Sequence, residues 1–131
     1  MSQPRKFKKE VAKWDDPKKR FLSHNLRRAK NRKDGKVFEI DVEYLFRLGQ
    51  QQGWKCVFTG EPLEFDRGGY HSGKRWWNPR SCSIDRIDST KDYIPGNVQL
   101  VWCVVNQMKA DMDEELFHEF IQKIYNQKKG P

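Results

Sequence analysis

The most informative part of the chain runs from Ser83 to Lys109 and reads SIDRIDSTKDYIPGNVQLVWCVVNQMK. Its first five residues form a short strand pattern with branched apolar side chains, and the polar residues that follow indicate a turn. After a second turn at Pro95 and Gly96 an apolar run resumes, and from Val101 onward apolar residues recur at helical spacing. The stretch therefore predicts a strand, a loop, a second strand and a helix, which is a minimal ββα unit.

Polar side chains at the edges of these elements suggest chemistry on a phosphate. Asp85 supplies a carboxylate and Asn106 an amide oxygen, which together with waters and phosphate oxygens satisfy a hard cation such as Mg²⁺. A bound cation would hold a scissile phosphate and stabilise the leaving oxygen. Arg86 offers a fork of donors that matches a phosphate, and it cannot act as a base. Asn97 can donate and accept hydrogen bonds at the same time, so its side chain can join different parts of the connecting loop and fix the shape of that loop.

This order of residues resembles the HNH, or ββα-metal, nuclease family, in a variant that reads S-x-D-R-I-D-S and is found in small phage-type proteins. Arg86 stands where that family usually carries its general-base histidine, and Asn106 stands at the last histidine. The resemblance implies a metal-dependent endonuclease in which Asp85 and Asn106 bind Mg²⁺ or Mn²⁺ and Arg86 contacts the phosphate. Further segments share the resemblance over roughly residues 27–125: KNRKDGK at 30–36, FEID at 38–41, CVFTGEPL at 56–63 and the closing helix after Asp111.

The resemblance leaves the general base open. In a short restriction endonuclease of the same branch an upstream tyrosine takes this role, and that tyrosine aligns with Phe58, which cannot accept a proton. The remaining candidates are His71, His24 and Tyr70, or else a metal-bound hydroxide. We take His71 as the candidate catalytic residue, and its other interpretation is a solvated or DNA-contacting side chain.

Many HNH proteins also hold a structural zinc with CxxC pairs, and this chain departs from that pattern. Thr59 stands at the second position of the first pair, and Trp102 and Val105 flank Asn106 where cysteines are expected. No structural zinc is therefore expected, and apolar packing takes its place. A zinc site that joins the cysteines across the fold is the alternative. Three cysteines remain without zinc spacing: Cys56, Cys82 and Cys103.

Positive charge is concentrated at one end of the chain, whose 131 residues carry a formal net charge of +8. Residues 1–36 contain 14 Lys or Arg against four acids, a net of +10, and the remainder contains 12 against 14, a net of −2. Such a basic segment is typical of nucleic-acid binding, and the other interpretation is a basic surface that serves solubility. Apolar spacing after Pro17 predicts a weakly docked helix over about 17–32. Its candidate DNA contacts are Arg27, Arg28, Lys30 and Arg32.

Three more elements follow from local patterns. Asp41 is a good N-cap for a helix that ends near Gly49 to Gly53, and residues 54–58 read as a short strand. A closing helix over about 112–127 is expected to start at Asp111 or Asp113, and Asp111 with Glu114 would form a capping box. The apolar residues of that helix are expected to pack on the ββα unit: Leu116, Phe117, Phe120, Ile121, Ile124 and Tyr125.

Residues 66–80 are predicted to form a glycine-rich loop in which basic and aromatic residues alternate. Lys74, Arg75 and Trp76 suit contacts with phosphates and stacking on bases. The alternative is that Trp76 and Trp77 anchor the loop to the core while the cations are solvated. Any determinant of sequence specificity is expected in this segment.

Together these features predict an α+β protein with a ββα-metal core, flanking helices and a basic N-terminal arm. Residues 1–36 would form the DNA-binding arm and residues 37–131 the nuclease domain, with the ββα motif at about 82–110. The leading hypothesis is an endonuclease that hydrolyses phosphodiester bonds of double-stranded DNA. The alternative is an HNH-derived nucleic-acid-binding protein that has lost cleavage. RNA and branched DNA share the phosphate on which this chemistry acts, so the motif does not separate them from duplex DNA.

The cellular context is an expectation from composition. No apolar run reaches membrane length, and the charged N-terminus does not resemble a signal peptide. Cysteines without a disulfide pattern favour a reducing compartment. We therefore expect the cytoplasm of a bacterium or a phage-infected cell and no membrane partner. Because so small a protein covers a limited footprint, cutting of both strands would favour a homodimer.

Overall fold

The computed structural model describes residues 16–32, 34–71 and 73–130, which contain both helices and antiparallel strands. Strands β1 and β2 form one two-stranded sheet, and β3 and β4 form another. The expected α+β class is confirmed. The elements in chain order are α1 (Pro17–Asn31), α2 (Val42–Gln51), β1 (Gly68–His71), β2 (Lys74–Trp77), β3 (Cys82–Arg86), β4 (Val98–Trp102), α3 (Cys103–Lys109) and α4 (Glu114–Lys129).

Strands β3 and β4 and helix α3 form a continuous unit. The two strands are antiparallel, with Cys82 opposite Trp102 and Asp85 opposite Gln99. Helix α3 begins at Cys103, directly after β4, and packs back against both strands. The order strand, strand, helix and the approximate bounds agree with the hydrophobic pattern, because apolar periodicity here is local and each element is bounded by its own turn residues.

Helix α1 is part of the folded core. Asp16 caps it by accepting hydrogen bonds from the backbone of Lys18 and Lys19, and Pro17 occupies its first turn. Its apolar side chains, Leu22, Leu26 and Ala29, are buried in one cluster with residues of α2, β3 and β4. The helix was expected to dock weakly, but burial of a continuous apolar face ties it to the domain that carries the ββα unit.

Helix α2 begins where the sequence predicted, with the Asp41 carboxylate accepting a hydrogen bond of 2.8 Å from the backbone N–H of Tyr44. Gly49 does not end the helix but lies inside it, where a β-carbon would come within 2.1 Å of the Trp54 ring. Trp54 has a positive φ of 57° and folds its indole back over the helix. The predicted strand at 54–58 is therefore wrong, and only an isolated bridge joins Lys55 to Pro62.

Gly49→Ala is expected to lower the free energy of unfolding by roughly 1–3 kcal/mol, because the new methyl group must displace the Trp54 ring. The higher helix propensity of alanine, about 1 kcal/mol, opposes this loss and does not cancel it. Urea unfolding measures the change, and Gln50→Ala, at an exposed position of the same helix, is the matched control. A Gly49→Ala protein as stable as the parent would show that the indole does not need this space.

The glycine-rich segment is a hairpin rather than the predicted loop. Gly68 pairs with Trp77 and Tyr70 with Arg75 across β1 and β2. Gly68 has a φ of +98°, and a β-carbon there would come within 2.2 Å of the Trp76 carbonyl oxygen, so glycine is required at this position. The sequence pattern missed these strands because all four side chains of β2 are exposed and neither strand shows apolar alternation.

Helix α4 begins at the second of its two predicted starts. Asp113 is the N-cap and accepts a hydrogen bond of 2.8 Å from the backbone N–H of Leu116. The Glu114 carboxylate accepts from Gln99 instead of completing a capping box. Only Phe117 of the apolar stripe is buried, so the expected packing of the whole stripe on the ββα unit is wrong.

Candidate functional site

One face of β3 carries the predicted metal ligand Asp85. Ser83 and Asp85 lie two residues apart and therefore point to the same side of the strand. That side is covered by α3, whose Asn106 contacts Ser83 and whose Lys109 contacts Asp85. Asn106 and Lys109 are three residues apart and lie on one face of the helix. The strand–helix contact thus brings the predicted ligands Asp85 and Asn106 to the same side of β3.

The Asn106 side chain is fixed by its amide group. Its Nδ2 donates to Ser83 Oγ at 2.8 Å and to the Ile84 carbonyl oxygen at 3.3 Å. Because the Ile84 carbonyl can only accept, these bonds determine which way the amide points. Among the described residues, none donates a hydrogen bond to Asn106 Oδ1. This oxygen, on a half-buried residue, is therefore left for solvent or a cation.

Asp85 is paired with a lysine that the sequence analysis mentioned but did not assign. Lys109 Nζ lies 3.0 Å from Asp85 Oδ1 and 3.2 Å from Oδ2, and it donates a third bond of 2.8 Å to the Arg86 carbonyl oxygen. Asp85 also accepts a bond of 2.9 Å from Gln99 Nε2. Asp85 is 3 % exposed and Lys109 0 %. The pair is a buried, fully hydrogen-bonded ion pair at the centre of the candidate site.

Arg86 holds the loop that follows β3. Its Nη1 donates to the carbonyl oxygens of Ser89 at 2.8 Å and Lys91 at 3.0 Å, and its guanidinium carbon lies 5.1 Å from the centroid of the Tyr93 ring. Arginine has five N–H donors, so those on Nε and Nη2 remain for another acceptor. The expected phosphate contact by Arg86 stays a prediction.

Asn97 joins the two ends of the same loop. Its amide oxygen accepts from the Asp88 backbone N–H at 2.9 Å, and its Nδ2 donates to the carbonyl oxygens of Asp88 at 3.1 Å and Asp92 at 2.9 Å. The backbone N–H and the hydroxyl of Thr90 both donate hydrogen bonds to the Asp88 carboxylate. These bonds are the main reason that the pKa of Asp88 is below its usual value. The loop between β3 and β4 is thus shaped by side chains that the motif contains.

In the described part of the chain, neither Tyr70 nor His24 forms a hydrogen bond with Asp85, whose donors there are Gln99 and Lys109. Phe58, at the aligned tyrosine position, packs edge-on against Phe117 with ring centroids 5.5 Å apart, and the His118 ring lies 5.8 Å away. Tyr70 and His24 are exposed. The side chain of His71 lies outside the described residues.

The cysteines are buried or half-buried near one end of β3 and β4. Trp102 N–H donates to Cys56 Sγ at 3.3 Å, and Cys82 lies opposite Trp102 in the sheet. Burial, and then the proximity of Cys56 and Cys103, raise the pKa of the Cys82 thiol far above its usual value. In residues 16–32, 34–71 and 73–130, no three His, Cys, Asp or Glu side chains are grouped so that they could hold a metal ion.

A basic cleft of about 640 Å³ borders the same strand–helix unit. It is bounded by α1, by the β1–β2 hairpin and by β3 with α3. Four arginines line it, and it has no acidic residue among its lining side chains. Two half-exposed tryptophans, Trp76 and Trp77, complete one wall. The arginines are Arg28 and Arg32 from α1 and Arg67 and Arg75 from the hairpin segment.

Two arginines of the cleft, Arg67 and Arg28, repel each other. Burial, and then the charge of Arg28, lower the pKa of Arg67 from its usual value. Arg67 is held in place by a hydrogen bond of 3.1 Å to Asn25 Oδ1 and by the Phe21 ring, 5.4 Å from its guanidinium carbon. Asn25 in turn donates to the Cys82 carbonyl oxygen at 2.8 Å. An anion bound between these guanidinium groups would relieve the repulsion, so the cleft is suited to phosphate.

The cleft and the Asn106 amide meet at β3. Ser83 and Ile84 line the cleft, and the same two residues accept the hydrogen bonds of Asn106. A polymer whose phosphates follow the arginines would therefore pass next to the strand that carries Asp85. This juxtaposition links the predicted binding surface to the predicted metal ligands.

The structure divides the predicted nucleic-acid contacts into two groups. Arg28, Arg32, Arg75 and Trp76 line the cleft, whereas Arg27, Lys30 and Lys74 are exposed but do not line it. Arg67 also lines the cleft, although it was not among the predicted contacts. Asn25 and Gln107 line the cleft without any signal in the sequence, because single polar residues on a helix are read as solvated.

Searches against protein-family models, curated proteins and solved structures found no match for this chain. None of the helices in the described part of the chain combines the length and the hydrophobicity that a bilayer crossing requires. The functional interpretation therefore depends on the residues and geometry described above.

Proposed function

We propose that this protein is a metal-dependent endonuclease that hydrolyses phosphodiester bonds of double-stranded DNA through an HNH-type site. The observation that carries the proposal is the arrangement of β3 and α3, in which Asp85 and Asn106 lie on one side of the strand beside the basic cleft. A carboxylate and an amide oxygen at such a position match the ligands of a hard divalent cation.

The side chains fit such a cation. Asn106 Oδ1 is free of donors among the described residues, while both N–H groups of its amide are used within the protein. Asp85 accepts three hydrogen bonds, and an ionised carboxylate has about four acceptor positions, so one remains. When bound, Mg²⁺ or Mn²⁺ would polarise the phosphate and stabilise the leaving oxygen.

The chain's own residues would perform the other steps. The arginines of the cleft would hold the DNA backbone, and the N–H groups of Arg86 Nε and Nη2 would contact a phosphate near the loop that follows β3. Asn97 would keep the loop after β3 in a shape that presents Arg86. Water is the nucleophile, and His71 remains the candidate general base.

The decisive test is plasmid nicking with Mg²⁺, Mn²⁺ or EDTA. Asn106→Ala is expected to slow metal-dependent nicking at least about tenfold, because the cation loses an oxygen ligand. Met108→Ala, at an exposed position of the same helix, is the matched control and should cut like the parent. To test the other ligand, Asp85→Asn is preferable to Asp85→Ala, because asparagine keeps the shape of the side chain and can still accept a hydrogen bond from Lys109. Equal nicking by Asn106→Ala and the parent would contradict the assignment of this ligand.

A second candidate function is DNA binding without cleavage. It is favoured by the buried Lys109–Asp85 pair, which already neutralises the carboxylate that a cation would need. Phe58 at the aligned base position favours it as well. Under this function no metal supports nicking, while salt-sensitive DNA binding by the cleft persists. The same set of assays therefore separates the two functions.

A further inference from the structure

Helix α4 presents an apolar stripe that the rest of the described chain does not cover. It spans 16 residues, and Phe117 is its only buried side chain. Phe120 is 42 % exposed, Ile124 67 % and Tyr125 62 %. Leu116 lies at the start of the same stripe and is also exposed. Large apolar side chains that are contiguous on one helix face mark a surface for a partner.

The helix is attached to the domain only near its N-terminal end. The Phe117 ring packs on Phe58, and Glu114 accepts a hydrogen bond of 2.9 Å from Gln99. From residue 122 to 130 every residue is exposed. The outer half of α4 therefore stands free of the core formed by the described residues, where a second molecule has access to it.

The charges of α4 are separated by sign along its length. Acids are confined to the cap and the first half, and lysines to the second half. This order favours the helix through its dipole, but the dipole does not account for the apolar stripe beside the charges. Two such helices that lie antiparallel would set the acidic half of each against the basic half of the other. The acids are Asp113, Glu114, Glu115 and Glu119, and the lysines are Lys123, Lys128 and Lys129.

We propose that α4 is a self-association surface on which a second copy of this chain packs its own α4 in antiparallel orientation. Such a two-fold interface is self-complementary, so each copy supplies the same stripe. With the axis between residues 120 and 121, Leu116 faces the partner's Tyr125, and Lys128 faces the partner's Asp113. A parallel pair would instead place acids against acids and lysines against lysines.

The expected association is weak and concentration-dependent. A helix of this length spans about 24 Å. A single helix pair buries less than the roughly 1,200–2,000 Å² of a stable interface. Sedimentation equilibrium of the full chain, from micromolar concentrations to about 1 mM, is therefore the measurement. Raising the salt concentration should weaken the dimer, because the opposed charges are exposed.

The variant Phe120→Ser/Ile124→Ser is expected to weaken self-association about 100-fold, because it removes the centre of the stripe. Both positions are exposed, so the fold is retained, which circular dichroism checks. Gln122→Ser/Gln127→Ser, at exposed positions outside the stripe, is the matched control. A chain that stays monomeric up to about 1 mM would overturn the proposal. So would self-association that the stripe variant leaves unchanged.

Crosslinking tests the orientation. A mixture of the Leu116→Cys and Tyr125→Cys variants should form a disulfide-linked dimer under mild oxidation, whereas Leu116→Cys alone should not. The parent chain controls for its own cysteines, of which Cys56 and Cys82 are buried. Crosslinking of Leu116→Cys with itself would indicate parallel helices and would overturn the antiparallel arrangement. Because these readouts do not involve cleavage, they are independent of the proposed nuclease activity.

Discussion

Replacing Lys109 with methionine is expected to lower the free energy of unfolding by about 3–5 kcal/mol. Methionine fills a similar volume, but it leaves the Asp85 carboxylate buried with only Gln99 as a hydrogen-bond donor. It also removes the bond from Lys109 to the Arg86 carbonyl oxygen. Urea unfolding at neutral pH measures the loss. The m-value, which is the slope of the unfolding free energy against urea concentration, is compared between the variants.

The double variant Asp85→Asn/Lys109→Met separates the ion pair from packing. Once the carboxylate is an amide, no unpaired buried charge remains, and most of the lost stability should return. Lys123→Met, at an exposed position, should change stability by less than about 0.5 kcal/mol. If Lys109→Met and the double variant are equally unstable, the loss comes from packing and not from the isolated charge.

This pair also shows where sequence reasoning reaches its limit. A lysine at the end of a short helix is normally read as an exposed cation that complements the helix dipole. Lys109 is instead fully buried because its partner Asp85, 24 residues earlier, lies on the strand beneath it. The strands and α3 could be predicted because their apolar spacing is local. The contact between Lys109 and Asp85 could not, because it depends on how the helix lies on the sheet.

The exposed elements were harder to predict for a related reason. Strand β2 is exposed along its whole length and so shows no alternating pattern, and the glycines of the hairpin indicated a loop. The stripe of α4 has the period of a packed helix, yet Phe117 alone is buried. Periodicity shows that a helix has an apolar face, but it does not show whether the same chain covers that face. The sequence left Asp111 and Asp113 open as the start of α4, and a difference of two residues lies within the usual uncertainty of helix ends.

Removing three arginines from the cleft is expected to have the largest effect on nucleic-acid binding. The variant Arg28→Gln/Arg32→Gln/Arg75→Gln should bind duplex DNA about 100- to 1,000-fold more weakly at moderate salt. The slope of the logarithm of the association constant against the logarithm of the salt concentration should fall in magnitude by about 2 to 3. Each lost phosphate contact contributes about 0.9 to this slope. All three side chains are exposed, so the fold should be unaffected. Arg67 is left in place, because it also packs on Phe21 and bonds to Asn25.

A control with the same change in net charge distinguishes the cleft from general attraction. Arg47→Gln/Lys55→Gln/Lys91→Gln also removes three exposed cations, but none of them lines the cleft. If the cleft binds the DNA backbone, this control should lose much less affinity for DNA and keep most of the salt dependence of DNA binding. Equal losses in the two variants would mean that net charge alone attracts the DNA. Because binding is measured in EDTA, the comparison holds whether or not the protein cuts, and it locates the DNA relative to β3 independently of the metal ligands.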